Sequence, residues 1–194
     1  MEQTVWKTLL QAVADGKMTV DEAAARWKLA PFEELGYAKI DHHRALRQGT
    51  AEVIYGEGKT PEQITGIVSA MLEAGQRSVL ITRLSPEAAA QVGQVHDLDY
   101  RPMGRLGIVG SLPEPDGVGT VVVASAGTSD MNVAEEAAVT AEFLGNRVTR
   151  LYDVGVAGIH RLLAHGEELM EARVVISVAG MEGALTSVIG GLVS

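Results

Sequence analysis

The stretch Thr120-Val-Val-Val-Ala-Ser-Ala-Gly-Thr-Ser-Asp130 decides how this chain reads. Residues 120–124 form a continuous apolar run, as a strand buried on both faces requires. Gly127 breaks the run, and Thr128, Ser129 and Asp130 stand where the next helix begins. A strand, a short loop and a helix in this order make the unit of a parallel α/β sheet, and ligands collect at the carboxyl ends of such strands. The loop offers free backbone amides, two hydroxyls and a carboxylate. Amides at a helix start suit a phosphate; Ser129 or Asp130 would serve equally as a plain helix cap.

Working outward, the unit recurs twice. A helix is predicted over 134–144 with Gly145 as its stop, a strand over 148–152, a helix over 156–170, a strand over 174–178 and a helix over 183–192. Three strand–helix units of about thirty residues each predict a doubly wound parallel sheet. The second strand ends at Tyr152-Asp153, followed by Gly155-Val-Ala-Gly-Ile-His160. The third ends at Ala179-Gly180-Met-Glu182-Gly183. Gly127, Thr128, Ser129, Asp130, Asp153, His160, Gly180 and Glu182 are therefore expected along one edge. Such sheets usually reach about five strands. Here the chain stops at Ser194 directly after a helix, so the domain is expected to be incomplete at its C-terminus.

Upstream, residues 111–118 hold two prolines and a glycine and read as a linker, dividing the chain into 1–115 and 116–194. Val5, Leu9, Leu10 and Val13 give the first helix one apolar face, ending near Gly16. Thr19-Val-Asp-Glu22 is a capping box opening a second helix, stopped by Pro31. Val53–Tyr55 and Val79–Thr82 read as strands. Thr60-Pro61-Glu-Gln63 and Ser85-Pro86 read as helix starts. This is a small α/β lobe. Within it, His42 and His43 make a poor metal pair, because neighbours on a helix point about 100° apart. Asp41, Arg44 and Arg47 form a candidate ligand-facing stripe, and Arg83 lies just past a strand end. Gly56–Thr60 resembles a phosphate loop but lacks its first glycine.

The charge narrows the partners. The 194 residues carry 16 basic and 25 acidic side chains, a net −9, which disfavours a nucleic-acid groove. Residues 116–194 hold 4 basic against 10 acidic side chains. Backbone amides must then supply much of the attraction for any phosphate. Cysteine is absent, which excludes disulfides, thiolate zinc sites and a cysteine nucleophile within these residues. No apolar run reaches the roughly 18 residues of a membrane span, and the N-terminus lacks a signal-peptide pattern. A cytoplasmic protein without a membrane partner is expected.

Gly127-Thr-Ser-Asp130, Gly158-Ile-His160-Arg161 and Ala179-Gly-Met-Glu-Gly-Ala184 resemble the carboxylase-type domain of PurE, the aminoimidazole ribonucleotide carboxymutase. The first resembles its nucleotide loop, the second lies where PurE has Ser-Ala-His-Arg, and the third lies at its glycine-rich loop. Asp41-His-His-Arg-Ala-Leu-Arg-Gln-Gly49 and Glu52-Val-Ile-Tyr-Gly-Glu-Gly-Lys-Thr60 upstream of such a domain resemble the LarB family. The resemblance spans nearly the whole chain and implies a PurE-like, flavodoxin-like second domain.

It also implies an activity. LarB proteins carboxylate the pyridinium ring of nicotinic acid adenine dinucleotide at C5, with carbon dioxide or bicarbonate. They also hydrolyse its phosphoanhydride, releasing AMP and pyridinium-3,5-biscarboxylic acid mononucleotide. This is the first step toward the nickel-pincer cofactor of lactate racemase. Magnesium (Mg2+) is implied for the hydrolysis. By resemblance Thr128, Ser129 and Asp130 would hold phosphate or ribose, and Asp153 and Gly180 would also touch substrate. His160 or Glu182 would position carbon dioxide or move the C5 proton, with Glu182 the preferred base. Asp41, His43, Arg44 and Arg83 would face the ligand from the first lobe. PurE-like domains assemble as octamers, so a homo-oligomer is implied. The family's thiolate nucleophile lies in a segment beyond the helix at which this chain stops. Two other readings are a PurE-type carboxymutase and a non-catalytic nucleotide-binding module.

Overall fold

The computed structural model describes residues 2–28, 33–41, 44, 49–50 and 52–194. It divides into two compact units, Met1–Glu52 and Val53–Ser194. The expected linker at 111–118 therefore joins two sheets inside the second unit.

The first unit opens with helices α1 (Glu2–Ala14) and α2 (Val20–Lys28). Gly16, at φ +67°, ends the first turn of chain after α1. The capping box forms as read: the Thr19 hydroxyl accepts from the Glu22 N–H at 3.1 Å, and a Glu22 carboxylate oxygen accepts from the Thr19 N–H at 2.9 Å. Two short strands follow, β1 (Glu33–Glu34) and β2 (Lys39–Ile40), paired antiparallel. They are too short for any sequence period to announce them.

The second unit holds two sheets. In the first, β3 (Ile54–Tyr55) pairs parallel with β4 (Val79–Thr82), across helix α3 (Pro61–Glu73). Helix α4 (Pro86–Val95) then leads to the hairpin β5 (Leu98–Arg101) and β6 (Leu106–Val109). The order is β3-β4-β6-β5, with β6 antiparallel to both its neighbours. The hairpin is an addition to the expected lobe: four-residue strands around Pro102–Arg105 carry too little alternation to be read. The start of α3 is the expected one. Thr60 accepts from the Gln63 N–H, and the Gln63 side chain accepts from the Thr60 N–H. Thr60→Ala is expected to lower stability by about 1 kcal/mol, measured by urea unfolding; a change within experimental error would show that the packing of α3 suffices without its cap.

The second sheet contains β7 (Thr120–Ser125), β8 (Arg147–Leu151) and β9 (Val174–Val178), all parallel, in the order β8-β7-β9. Second–first–third is how a flavodoxin-like sheet begins, so the mixed α/β, doubly wound reading is borne out. Helix α5 (Met131–Phe143) covers one face through Ala134 and Ala138 against Val123. The opposite face packs on Leu162, Leu169, Leu185 and Ile189. These come from α6 (Ile159–Leu163), α7 (Gly166–Glu171) and α8 (Ala184–Leu192). The single helix expected over 156–170 is instead a 3-10 turn and two short helices, because His165 leaves helical dihedrals and Gly166 follows it.

Helix α5 has a second buried side. Val139 and Phe143 pack with Leu80, Leu106 and Ile108 of the first sheet. Small alanines toward β7 and larger side chains toward β4 and β6 let one helix fill the space between two sheets. Among the described residues no helix is long and apolar enough to cross a membrane.

Candidate functional site

Three loops leave the carboxyl ends of β7, β8 and β9. The first contains a 3-10 turn, Thr128–Asp130, that runs into α5. The Gly127 N–H donates to an Asp130 carboxylate oxygen at 3.0 Å, so Asp130 shapes the loop from its far end. A Cβ built on Gly180, after β9, would sit 3.5 Å from the other Asp130 oxygen. The first and third loops therefore meet at this carboxylate. Thr128 and Ser129 are exposed and Asp130 is half-buried.

The second loop is drawn in by buried polar contacts. Ser125 is fully buried, and its hydroxyl accepts from the Asp153 N–H at 3.3 Å. The Val154 N–H donates to the Ser125 carbonyl at 2.9 Å, and the Ala126 N–H donates to the Val178 carbonyl at 3.0 Å. Gly155 lies so near the first loop that a Cβ would stand 2.6 Å from the Ala126 carbonyl oxygen. Only glycine fits that approach. Asp153 is left-handed at φ +58°, a conformation aspartate tolerates better than most residues. Its carboxylate is held by the Arg161 guanidinium. Gly158 makes room for that guanidinium, since a Cβ there would lie 2.8 Å from Arg161 Nε. His160, beside Arg161 in the first turn of α6, is exposed.

The third loop is a tight turn: the Gly183 N–H donates to the Gly180 carbonyl at 3.0 Å. Met181 sits in the left-handed region at φ +54° and is 100% exposed. Long side chains adopt that conformation at a cost of about 1–2 kcal/mol. A strained turn thus carries an apolar side chain and exposed Glu182 into solvent at the end of the sheet. Strain of this kind gathers at ligand-handling loops.

The structure thus brings Gly127, Thr128, Ser129, Asp130, Asp153, Gly180 and Glu182 to one end of one sheet, with His160 on the helix that follows. Among the candidates of the first lobe, Arg83 is tied to a side chain of the same unit. Arg83, left-handed at φ +53° after β4, donates from Nε to both oxygens of Glu136 on α5, at 3.0 and 2.7 Å. Those bonds hold its guanidinium more basic than usual and commit it within the protein. Asp41 and Arg44 belong to the first unit. The Asp41 N–H donates to Glu52 at 2.7 Å, and Arg44 has a buried Nε without a hydrogen-bond partner among the described residues. His42, His43 and Arg47 lie outside the described residues. No three His, Asp or Glu side chains among the described residues stand close enough to enclose a metal ion. The described residues therefore do not form the protein cage that magnesium alone would need.

One polar network escaped the sequence reading. Arg150 on β8 donates from Nε to Glu135 at 3.0 Å, and from Nη2 to Glu142 at 3.0 Å and Glu135 at 3.2 Å. Tyr152 donates its hydroxyl to Glu135. Burial pushes the Glu135 carboxyl upward, but the bonds from Arg150 and Tyr152 outweigh it and leave it below the usual glutamate range. Burial first, and then the bond to Glu135, push the Tyr152 hydroxyl well above its ordinary value. Spacing along and just past β8 puts Arg150 and Tyr152 on one face, yet nothing in the sequence names their partners, 8 to 17 residues upstream.

The comparisons with known proteins agree with this architecture. Residues 32–111 match the model of the LarB/PurE-like N-terminal domain. The chain is 36% identical over 196 residues to an uncharacterized protein of Methanocaldococcus jannaschii, MJ0165, covering 96% of this chain and 77% of the relative.

Proposed function

Because the chain belongs to the LarB family, of carboxylase type, we propose that residues 116–194 form the nucleotide cradle of a nicotinic acid adenine dinucleotide carboxylase. The observation that carries this reading is the meeting of the β7 and β9 loops at Asp130, with the β8 loop packed against the first through Gly155. In this reading the amides of Thr128 and Ser129 and the start of α5 receive the mononucleotide phosphate. Asp130 holds the loop in the shape that presents them. Arg161 neutralises Asp153, which lowers the repulsion an incoming phosphate would meet.

The chemistry fits an exposed carboxylate at Glu182. A pyridinium ring is electron-poor, so its C5 cannot attack carbon dioxide directly. In the family's route a thiolate adds to C4, and the resulting enamine forms the C5–carbon bond with carbon dioxide. A base then takes the C5 proton, and the ring electrons expel the thiolate. These 194 residues hold no cysteine, so the step assigned to them is proton removal, by Glu182, with His160 nearby in the loop order. Hydrolysis of the phosphoanhydride would then release AMP.

Calorimetric titration with nicotinic acid adenine dinucleotide tests this reading. Saturable binding is expected, about tenfold weaker in Asp130→Ala through loss of the bond that shapes the loop, and unchanged in Glu182→Gln. A wild-type chain that does not bind, or an Asp130→Ala variant that binds equally well, would sink it.

A further inference from the structure

On the α5 side of β8 lies an open pocket of ≈ 240 Å³ lined by Arg101, Pro102, Met103, Glu135, Arg150 and Tyr152. Tyr152 directly precedes Asp153, so the pocket adjoins the carboxyl-end loops along the chain. We propose that it is a subsite for the neutral heteroaromatic base of a nucleotide, a purine such as adenine, and not for a phosphate. The inference rests on the nucleotide reading above and adds to it where the base goes.

The charges decide between base and phosphate. All three nitrogens of the Arg150 guanidinium already donate to Glu135 and Glu142. Arg101 donates from Nε and Nη2 to Asp99, at 2.7–3.0 Å. Two guanidinium groups therefore stand against three carboxylates. An anion would meet a surplus negative charge and find the guanidinium edges taken. A cationic ring would stack face-on against guanidinium planes, and the carboxylates that could attract it already accept from Arg150 and Arg101. A neutral flat ring meets neither penalty, and guanidinium faces, the Tyr152 ring and the Met103 sulfur all favour stacking.

The walls are also held in place. Tyr152 and Arg150 are fixed through Glu135. Met103 rides on a turn closed by the Arg105 N–H donating to the Pro102 carbonyl at 3.3 Å. Next to it, Gly104 approaches α5 so closely that a Cβ would stand 3.0 Å from the Glu136 amide nitrogen. The hairpin tip is thereby seated on α5, which leaves Met103 at the rim, 49% exposed.

The test is calorimetry with two probes, AMP and ribose 5-phosphate, on wild type and Met103→Ala. Met103 makes the rim, and its half-exposed side chain can be trimmed without opening the core. The expected result is AMP affinity about fivefold lower in the variant, as for a lost stacking contact, with ribose 5-phosphate unchanged. Equal AMP affinity in both proteins overturns the base subsite, as does an equal loss for both probes, which would mark a distorted loop. AMP binding no tighter than ribose 5-phosphate in wild type overturns the subsite and leaves the phosphate cradle standing. Binding of neither probe overturns the cradle and the subsite together.

Discussion

Gly155→Ala is expected to cost about 1–3 kcal/mol of stability, the usual penalty for forcing an extra methyl into a filled space. Affinity for nicotinic acid adenine dinucleotide should fall as well. The new Cβ would stand 2.6 Å from the Ala126 carbonyl oxygen, which is backbone and cannot rotate away. The loops after β7 and β8 must then separate, and each hydrogen bond to a charged ligand group lost in this way costs about 1.5–3 kcal/mol, roughly 10- to 150-fold in affinity. Gly155 has ordinary extended dihedrals, φ −60° and ψ 152°, so the effect is steric and not a matter of backbone freedom. Gly190→Ala serves as the control. It lies inside α8 with nothing within 4 Å of its added Cβ, and should stabilise by about 0.5–1 kcal/mol. Urea unfolding and calorimetry on both variants check the pair. Normal binding by Gly155→Ala would show that the two loops are not jointly part of the site.

Arg150→Met should destabilise the protein by about 2–4 kcal/mol at neutral pH, since removing one member of a largely buried charge cluster strands the others. Glu135 and Glu142 would lose their shared partner; the Arg150, Glu135 and Glu142 side chains are 28%, 14% and 25% exposed. The effect has a pH signature. In the native protein Glu135 titrates below the usual glutamate range. A carboxyl depressed in this way contributes stability above its unfolded value and loses it as pH falls through its folded one. The wild type therefore surrenders this contribution on acidification, whereas the variant has none left to lose. The gap between them should narrow as pH drops below the glutamate range. Unfolding free energies at neutral and acid pH read it directly; a gap independent of pH would remove Glu135 from the account.

Much of this was legible because it rests on local chemistry. The apolar run at 120–124, the capping boxes at Thr19 and Thr60, and the glycines beyond each strand all act within a few residues. The parallel sheet and its three converging loops followed from them. What stayed hidden depends on distant partners. Arg83 reads as a free cation past a strand end, yet it is bound to Glu136, which is 53 residues away. Glu135 and Arg150 show no relation in sequence until β8 and α5 are packed together. The β5–β6 hairpin escaped because its strands are short and mixed. The division at 115/116 followed composition, whereas the compact units part at 52/53, because α5 packs against both sheets across the proline-rich segment.

That double packing sets how the second unit comes apart. A helix buried on one side can detach while its sheet persists, and its amides then exchange with solvent through a local opening. Helix α5 has no such route. Ala134 and Ala138 hold it to one sheet, and Val139 and Phe143 to the other. Releasing it exposes both hydrophobic clusters at once. Residues 53–194 should accordingly open as a single cooperative block, with α5 amides among the last to exchange deuterium, and the loop that begins this helix inherits a foundation shared by both sheets.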